Sequence, residues 1–253
     1  MKEALLRRLA ADRQQHRPVG LITDLDTGHQ LLLHPDDAVG DLALDPAAEA
    51  QARTWLKADR SGLLEVPGRR LFLQAAMPAP RLILVGAVHI SQALAPMAAL
   101  AGYAVTVVDP RRSFATDARF PDVTLTSDWP DEALERLAPD VRTAIVTLTH
   151  DPKLDDPALS VALNSPAFYI GALGSRKTHG ARLNRLKRAG FSETDLARIH
   201  GPVGLSINAL SPAEIAVAIL GQITQVRRAG AKGPATGEAP SAGHAAWSLP
   251  AFR

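Results

Sequence analysis

Residues 82–91 read LILVGAVHIS. The continuous apolar run that ends on Gly86 predicts a parallel strand buried on both faces. It leads at once into HISQALAPMAALAG, residues 89–102, which reads as a helix carrying Pro96 inside it as a kink and closed by Gly102. Strand, glycine turn and helix in that order form the entrance to a nucleotide crevice, whose fingerprint would read G-x-G-x-x-G. Here the three positions hold Gly86, Val88 and Ser91. The second glycine of the fingerprint lets the backbone approach a pyrophosphate, and Val88 puts a β-branched side chain there instead. This argues against NAD(P) in its usual pose. The helix start still offers free N–H groups to an anion, with His89 in its first turn. The same residues also read as a plain strand-to-helix turn.

Outward from this stretch, strand and helix alternate. YAVTVVD, DVTLTS, TAIVTLT and AFYIGAL read as strands. PDEALERLA, PKLDDPALSVALN (interrupted at Pro157), SRKTHGARLNRLKRAG and SPAEIAVAILGQITQVRRAG read as helices, the last opened by a capping box of Ser211 and Glu214. Short links between alternating elements predict an α/β fold with a doubly wound, Rossmann-like parallel sheet over 81–229. Residues 1–78 read as a small α+β domain. VGLITDL and QLLLHP flank the turn DTGH, GLLEV and RRLFLQAA flank PG, and a helix starts at the Asp45–Pro46 cap. MPAP, 77–80, reads as the boundary, and the Gly/Ala/Pro-rich 230–253 as a mobile tail.

Composition narrows the function. The chain of 253 residues has no cysteine, which excludes disulfides, thiolate metal sites and thiol nucleophiles. A net charge of +2, with two Tyr and six Phe, gives no basis for a nucleic-acid surface. No apolar run approaches the roughly 18 residues of a membrane span, and the charged start MKEALLRRLAADRQQ lacks a signal core, so a cytoplasmic protein is expected.

Ligands of a doubly wound sheet bind beyond the carboxyl ends of its strands. Besides GAVHIS, three stretches should meet there. Asp109 ends the second strand, where a ribose hydroxyl is usually held, and Arg111 follows as a phosphate partner. LTHDPKLDDPAL delivers Thr149, His150 and Asp151, with Asp155 and Asp156 close behind. Such a group suits acid–base chemistry or a hard metal ion, and Asp before Pro is also an ordinary helix start. In GALGSRKTHGAR, Gly171 and Gly174 permit a tight loop and Ser175 caps a helix. Arg176, Lys177, His179 and Arg182 crowd that helix's first turns. Cations there oppose the helix dipole unless an anion fills the site. The Pro/Gly loop HGPVGLSI, 200–207, lies ahead of the last helix.

GAVHI, VVDPR, RFP, WPDEAL, LTHDPKLDDPAL, FYIGALGSRKTHGARL, IHGPVGL and SPAEIAVAIL, in this order over about 81–229, resemble the XdhC/CoxI family. The N-terminal part is similar to the family's short form. The resemblance implies an accessory protein for molybdenum hydroxylases of the xanthine dehydrogenase or carbon monoxide dehydrogenase type. Such a protein binds molybdenum cofactor, as molybdopterin or its cytosine dinucleotide form, protects it or helps its sulfuration, and passes it to the apoenzyme. It also implies a homodimer. Many members have G-A-G-H-[IV] where this chain has Val88 third. Longer members carry cysteine motifs that are missing here, so no persulfide can form on this chain and any sulfur must come from a partner cysteine desulfurase. The pterin's phosphate would then sit at the helix starts marked by His89 and Ser175, with Arg176 as counter-charge and His150 and Asp151 on the pterin or the oxo ligands. Two other readings stand beside this one. One is an NAD(P)-dependent oxidoreductase with His150 as acid–base and Asp109 on the ribose. The other is a docking protein that uses the basic helix 176–188.

Overall fold

A computed structural model describes residues 3–229. The decisive stretch forms strand β6 (Arg81–Val85) and helix α3 (His89–Leu100), joined at Gly86. Before them come α1 (Glu3–Gln14), β1 (Val19–Asp24), β2 (Gln30–Leu33), β3 (Ala38–Gly40), α2 (Pro46–Lys57), β4 (Gly62–Leu63) and β5 (Leu71–Ala76). After them come β7 (Ala104–Val108), β8 (Thr124–Thr126), α4 (Pro130–Leu137), β9 (Thr143–Thr147), α5 (Pro152–Leu163), β10 (Tyr169–Ala172), α6 (Arg176–Arg188), α7 (Glu193–Leu196), β11 (Ile199–His200) and α8 (Pro212–Ala229).

The later strands make a parallel sheet in the order β11-β10-β9-β6-β7-β8. This is a doubly wound arrangement whose order reverses between β6 and β9. The central strands are apolar on both faces because both faces are covered. Leu82, Leu84, Val107 and Val146 pack with α3 and α8, and Ile83, Val85, Val108 and Ile145 pack with α4 and α5. The earlier strands make a separate antiparallel sheet in the order β3-β2-β1-β5-β4. Its core side carries Ile22, Leu33, Leu71, Leu73 and the Trp55 of α2, while α1 covers Val19, Leu21 and Leu32. No helix among the described residues is long and apolar enough to cross a membrane.

Local chemistry explains the helix starts. Asp45 accepts the Ala48 amide at 2.8 Å, and Ser211 and Glu214 exchange backbone bonds at 3.2 and 2.9 Å. One expectation fails, because α5 runs unbroken through Pro157. That residue lies in the second turn, and the helix continues although the nitrogen of Pro157 cannot donate to the turn before it. Three elements go unread in the sequence: β3, β11 and α7, the last opened by its own capping box of Ser192 and Asp195. The tail expected at 230–253 lies outside the described residues.

Candidate functional site

The strand order reverses between β6 and β9, and ligands of such sheets bind in the crevice beyond the carboxyl ends of the strands at that point. At its centre Gly86 takes φ +112, and a Cβ there would lie 2.7 Å from Thr149 Cγ2 and 3.3 Å from the Thr149 amide. The turn therefore needs glycine both for its dihedral and for the closeness of the β9 loop. The Gly86 amide donates to Val108 O and the Leu148 amide to Val85 O, each at 2.8 Å, so β6, β7 and β9 splay at one level.

α3 starts at Val88, which offers no side-chain cap, and its first turn holds no acid. The acid that faces this helix start comes from another element: Asp109, at the end of β7, accepts the Ala87 amide just ahead of it. The Val88 side chain is half-buried against the apolar layer of α3 and α8. This explains how a β-branched residue is accommodated where the fingerprint asks for glycine. His89 is exposed, its Nδ1 3.1 Å from Gln92 Oε1, which also accepts Arg119 Nη2 at 2.8 Å.

Asp109 is fully buried at the end of β7. One oxygen accepts the Ala87 amide at 2.7 Å and Arg111 Nη2 at 2.7 Å, and the other accepts the Arg111 amide at 3.0 Å and its Nε at 2.9 Å. Burial pushes this carboxyl up, but the Arg111 guanidinium and the two amides outweigh it and hold it below the ordinary carboxylate range. Asp109 thus ties the GAVHIS turn to the β7 loop, with both oxygens engaged inside the protein. The Arg111 guanidinium lies 4.7 Å from the ring centroid of the exposed Phe114 and also feels the charge of Asp151.

Thr149, His150 and Asp151 leave β9 as expected. His150 is exposed and adopts φ +63, a left-handed conformation that a non-glycine residue takes at a cost. Asp151 caps α5 by accepting the Lys153 amide at 2.9 Å. The acids that follow do not converge as metal ligands. Asp155 turns inward to accept Thr149 Oγ1 at 2.6 Å, and Asp156 holds Arg185 through bonds of 2.5 and 3.0 Å. No group of three or more His, Asp or Glu among the described residues is arranged to hold a metal ion.

The β10 loop departs from expectation at Gly171. This glycine is inside β10, paired with Val146 and His200, and is not part of the loop. A Cβ there would lie 2.6 Å from Val203 Cγ2 and 2.9 Å from the Tyr169 ring, so close packing requires it. Gly174 does form the loop, at φ +144. Ser175 caps α6 by accepting the Thr178 amide at 3.1 Å, and Arg176 projects into solvent. His179 turns away, its ring against Gly201, where an added Cβ would lie 2.2 Å from Nδ1. Burial, with the nearby Arg182 charge, holds its imidazole below the usual histidine range and favours the neutral form.

The sequence reading missed the pair beneath these loops. Arg182 and Asp155 are each almost wholly buried, with Arg182 Nη2 3.5 Å from Asp155 Oδ2 and 2.8 Å from Leu173 O. They connect the β9 loop to the β10 loop. The available signal was a charge on an apolar stripe: Arg182 shares a face with Leu186, and Asp155 with Leu159.

Comparison with known proteins places this crevice in context. A family model described as the XdhC Rossmann domain matches residues 82–223. A Bacillus subtilis (strain 168) protein described as a probable xanthine dehydrogenase subunit is 34% identical over 159 residues, 62% of this chain and 46% of that one. Escherichia coli (strain K12) has the molybdenum cofactor insertion chaperone PaoD, 31% identical over 150 residues, 59% of this chain and 41% of that one. An uncharacterized protein of the same strain, YqeB, is 36% identical over 150 residues, 58% of this chain and 27% of its own length. The chain thus spans less than half the length of each of these relatives. A crystal structure described as a xanthine dehydrogenase from Bacillus halodurans shares the fold, with a TM-score of 0.70 over 89% of this chain and 64% of that one, at 24% identity.

Proposed function

Because the chain belongs to the XdhC family, we propose that it is a cofactor-handling accessory protein. It binds molybdenum cofactor and passes it to an apo molybdenum hydroxylase of the xanthine dehydrogenase or carbon monoxide dehydrogenase type. The relative described as a molybdenum cofactor insertion chaperone supports this reading. The observation that carries it is local: α3 and α6 follow β6 and β10 at the carboxyl ends of one parallel sheet, and both begin without a first-turn acid. Free N–H groups and positive dipole ends there suit a phosphate. The pterin phosphate sits at His89 and Ser175, with Arg176 as counter-charge, and His150 and Asp151 face the pterin or its oxo ligands. Residues present fit such cargo, since neither helix start carries an acid of its own and the exposed Arg176 and Lys177 supply positive charge at α6. Bound molybdenum cofactor would supply the redox centre of the acceptor hydroxylase, and this chain's part is to hold, shield and release it. Without cysteine, any sulfur has to come from a partner desulfurase. An NAD(P)-dependent oxidoreductase is less well supported, because both oxygens of Asp109 are already engaged by Ala87 and Arg111.

The test is to mix the purified chain with molybdenum cofactor, separate it by gel filtration, and quantify pterin and molybdenum in the protein peak beside an NADH titration. Stoichiometric pterin and no NADH binding are expected. Arg176→Ala should weaken pterin retention about tenfold, as for one lost bond to a charged group, with an unchanged melting temperature. Saturable NADH binding with no pterin would refute the proposal.

A further inference from the structure

The crevice has a floor whose polarity the chain does not satisfy. Arg182 is 2% exposed. Its Nη2 has Leu173 O, but Nε and Nη1 have no hydrogen-bond partner among the described residues. The two nearest carboxylates leave both nitrogens without a bond. Asp155 Oδ1 accepts the Thr149 hydroxyl, and its Oδ2 stays 3.5 Å from Arg182 Nη2 as an ion pair without making a hydrogen bond. Asp156 is held by Arg185. The orphaned Nη1 lies directly under the β10 loop, 3.9 Å from where a Cβ of Gly174 would be. Immediately beyond Gly174, α6 begins, and its Arg176 and Lys177 amides have no helical acceptor.

From this geometry we infer that the N-terminus of α6 is a phosphate subsite with Arg182 as its buried counter-charge. A phosphate-ester oxygen takes the Arg176 and Lys177 amides from outside, and the Arg182 guanidinium adds an under-compensated positive charge from beneath the loop. Gly174 keeps that layer thin: a Cβ there would press on Thr178 Cβ and Cγ2 at 3.2 Å and come within 3.9 Å of Arg182 Nη1. Asp155 acts as a brake: it tempers the charge enough for the fold to tolerate a buried arginine without supplying the hydrogen bonds that would neutralise it. Arg182 is thus a positioning residue acting through the loop, and the site is built for a doubly charged phosphate ester in preference to a carboxylate or halide. The site deepens the reading above, and rests on it for the pterin that carries the phosphate.

The experiment uses the whole chain, labelled with nitrogen-15, titrated with inorganic phosphate against chloride at equal ionic strength. The Arg176 and Lys177 amide signals should shift saturably with phosphate and not with chloride. Arg182→Met should weaken that binding about tenfold. Asp155→Asn, which keeps an acceptor for Thr149 and releases the brake, should tighten it several-fold, while Glu193→Gln, an equal charge change at the start of α7 beside Lys187, leaves it unchanged. Should Arg182→Met fail to fold by circular dichroism, Asp155→Asn decides. Unchanged or weaker phosphate binding in that variant, or amides that ignore phosphate in the parent chain, would overturn the subsite. Phosphate binding of the expected pattern with no retention of molybdenum cofactor would leave the subsite standing and defeat the pterin reading alone.

Discussion

Single residues in the crevice trade stability against geometry, and two of them do so in opposite directions. His150 adopts φ +63 without a glycine's freedom, at an exposed position where no hydrogen bond from the described residues fixes its ring. His150→Gly should therefore raise stability by about 1 kcal/mol in urea titration while lowering pterin retention. Gly86 is the converse, with φ +112 and Thr149 in the way of any Cβ. Gly86→Ala should cost about 1–3 kcal/mol by the same measurement. Asp109 adds a pH signature. Its carboxyl is depressed in the fold, so its stabilisation is present above the unfolded value of about 3.9 and is lost as pH falls through the lower folded value. Asp109→Asn should be less stable than the parent at neutral pH, and the two melting curves should converge as pH drops below about 4. A constant gap down to pH 2 would show that Asp109 matters for packing and not for charge. Gly171 shows the limit of reading residues one at a time. Its neighbour Gly174 serves a loop, and the string GALGS cannot tell a glycine that turns the chain from one that makes room for Val203.

At the scale of elements, legibility followed length and burial. β6, β7, β9 and β10 are apolar on both faces because helices cover both sides of a parallel sheet, and continuous apolar runs announce that. β3 is three exposed residues and β11 is two, too short for any period to show. Helix starts were readable at Asp45, Asp151, Ser175 and Ser211, where the capping side chain precedes a long run, and not at Ser192, whose capped helix has only four residues. The Asp155–Arg182 pair was hidden because its halves lie on different helices and meet only after α5 and α6 pack on the sheet. α6 also carries a testable conflict. Arg176 and Lys177 sit at the positive end of its dipole, which costs stability, and the benefit is expected only when an anion is bound. Arg176→Glu should raise the melting temperature slightly, by the equivalent of about 0.3–1 kcal/mol, while abolishing retention of molybdenum cofactor. A fall in both would assign Arg176 to the fold instead of the ligand.

The whole molecule is two sheets held together on the side away from the crevice. Asp59, just past α2, faces Arg142 at 3.4 Å and Arg227 at 3.5 Å, and Arg142 Nη2 donates to Pro78 O in the connecting segment at 2.7 Å. Beside them lies a cavity of about 560 Å³, lined by Met77, Pro80, Val141, Phe168 and Val226. Pro80, Arg142 and Phe168 precede β6, β9 and β10, which puts this seam at the amino ends of the strands, and the crevice opens at the other end. A seam of few polar ties around a cavity should yield before either sheet does, because local opening follows the least-packed boundary. We therefore expect 1–78 and 81–229 to behave as separate cooperative units. Arg142→Ala removes the tie to Pro78 O and half of the hold on Asp59, a loss of about 1–2 kcal/mol. In hydrogen exchange, the amides of Ile22 and Leu73 in the antiparallel sheet should lose protection while those of Ile83 and Ile145 in the parallel sheet keep theirs. The proposed cofactor retention should persist, since Arg142 lies at the amino ends of the strands, opposite the proposed site. Equal loss of protection in both sheets would mean that they unfold as one body, and that the antiparallel unit stabilises the crevice from across the molecule.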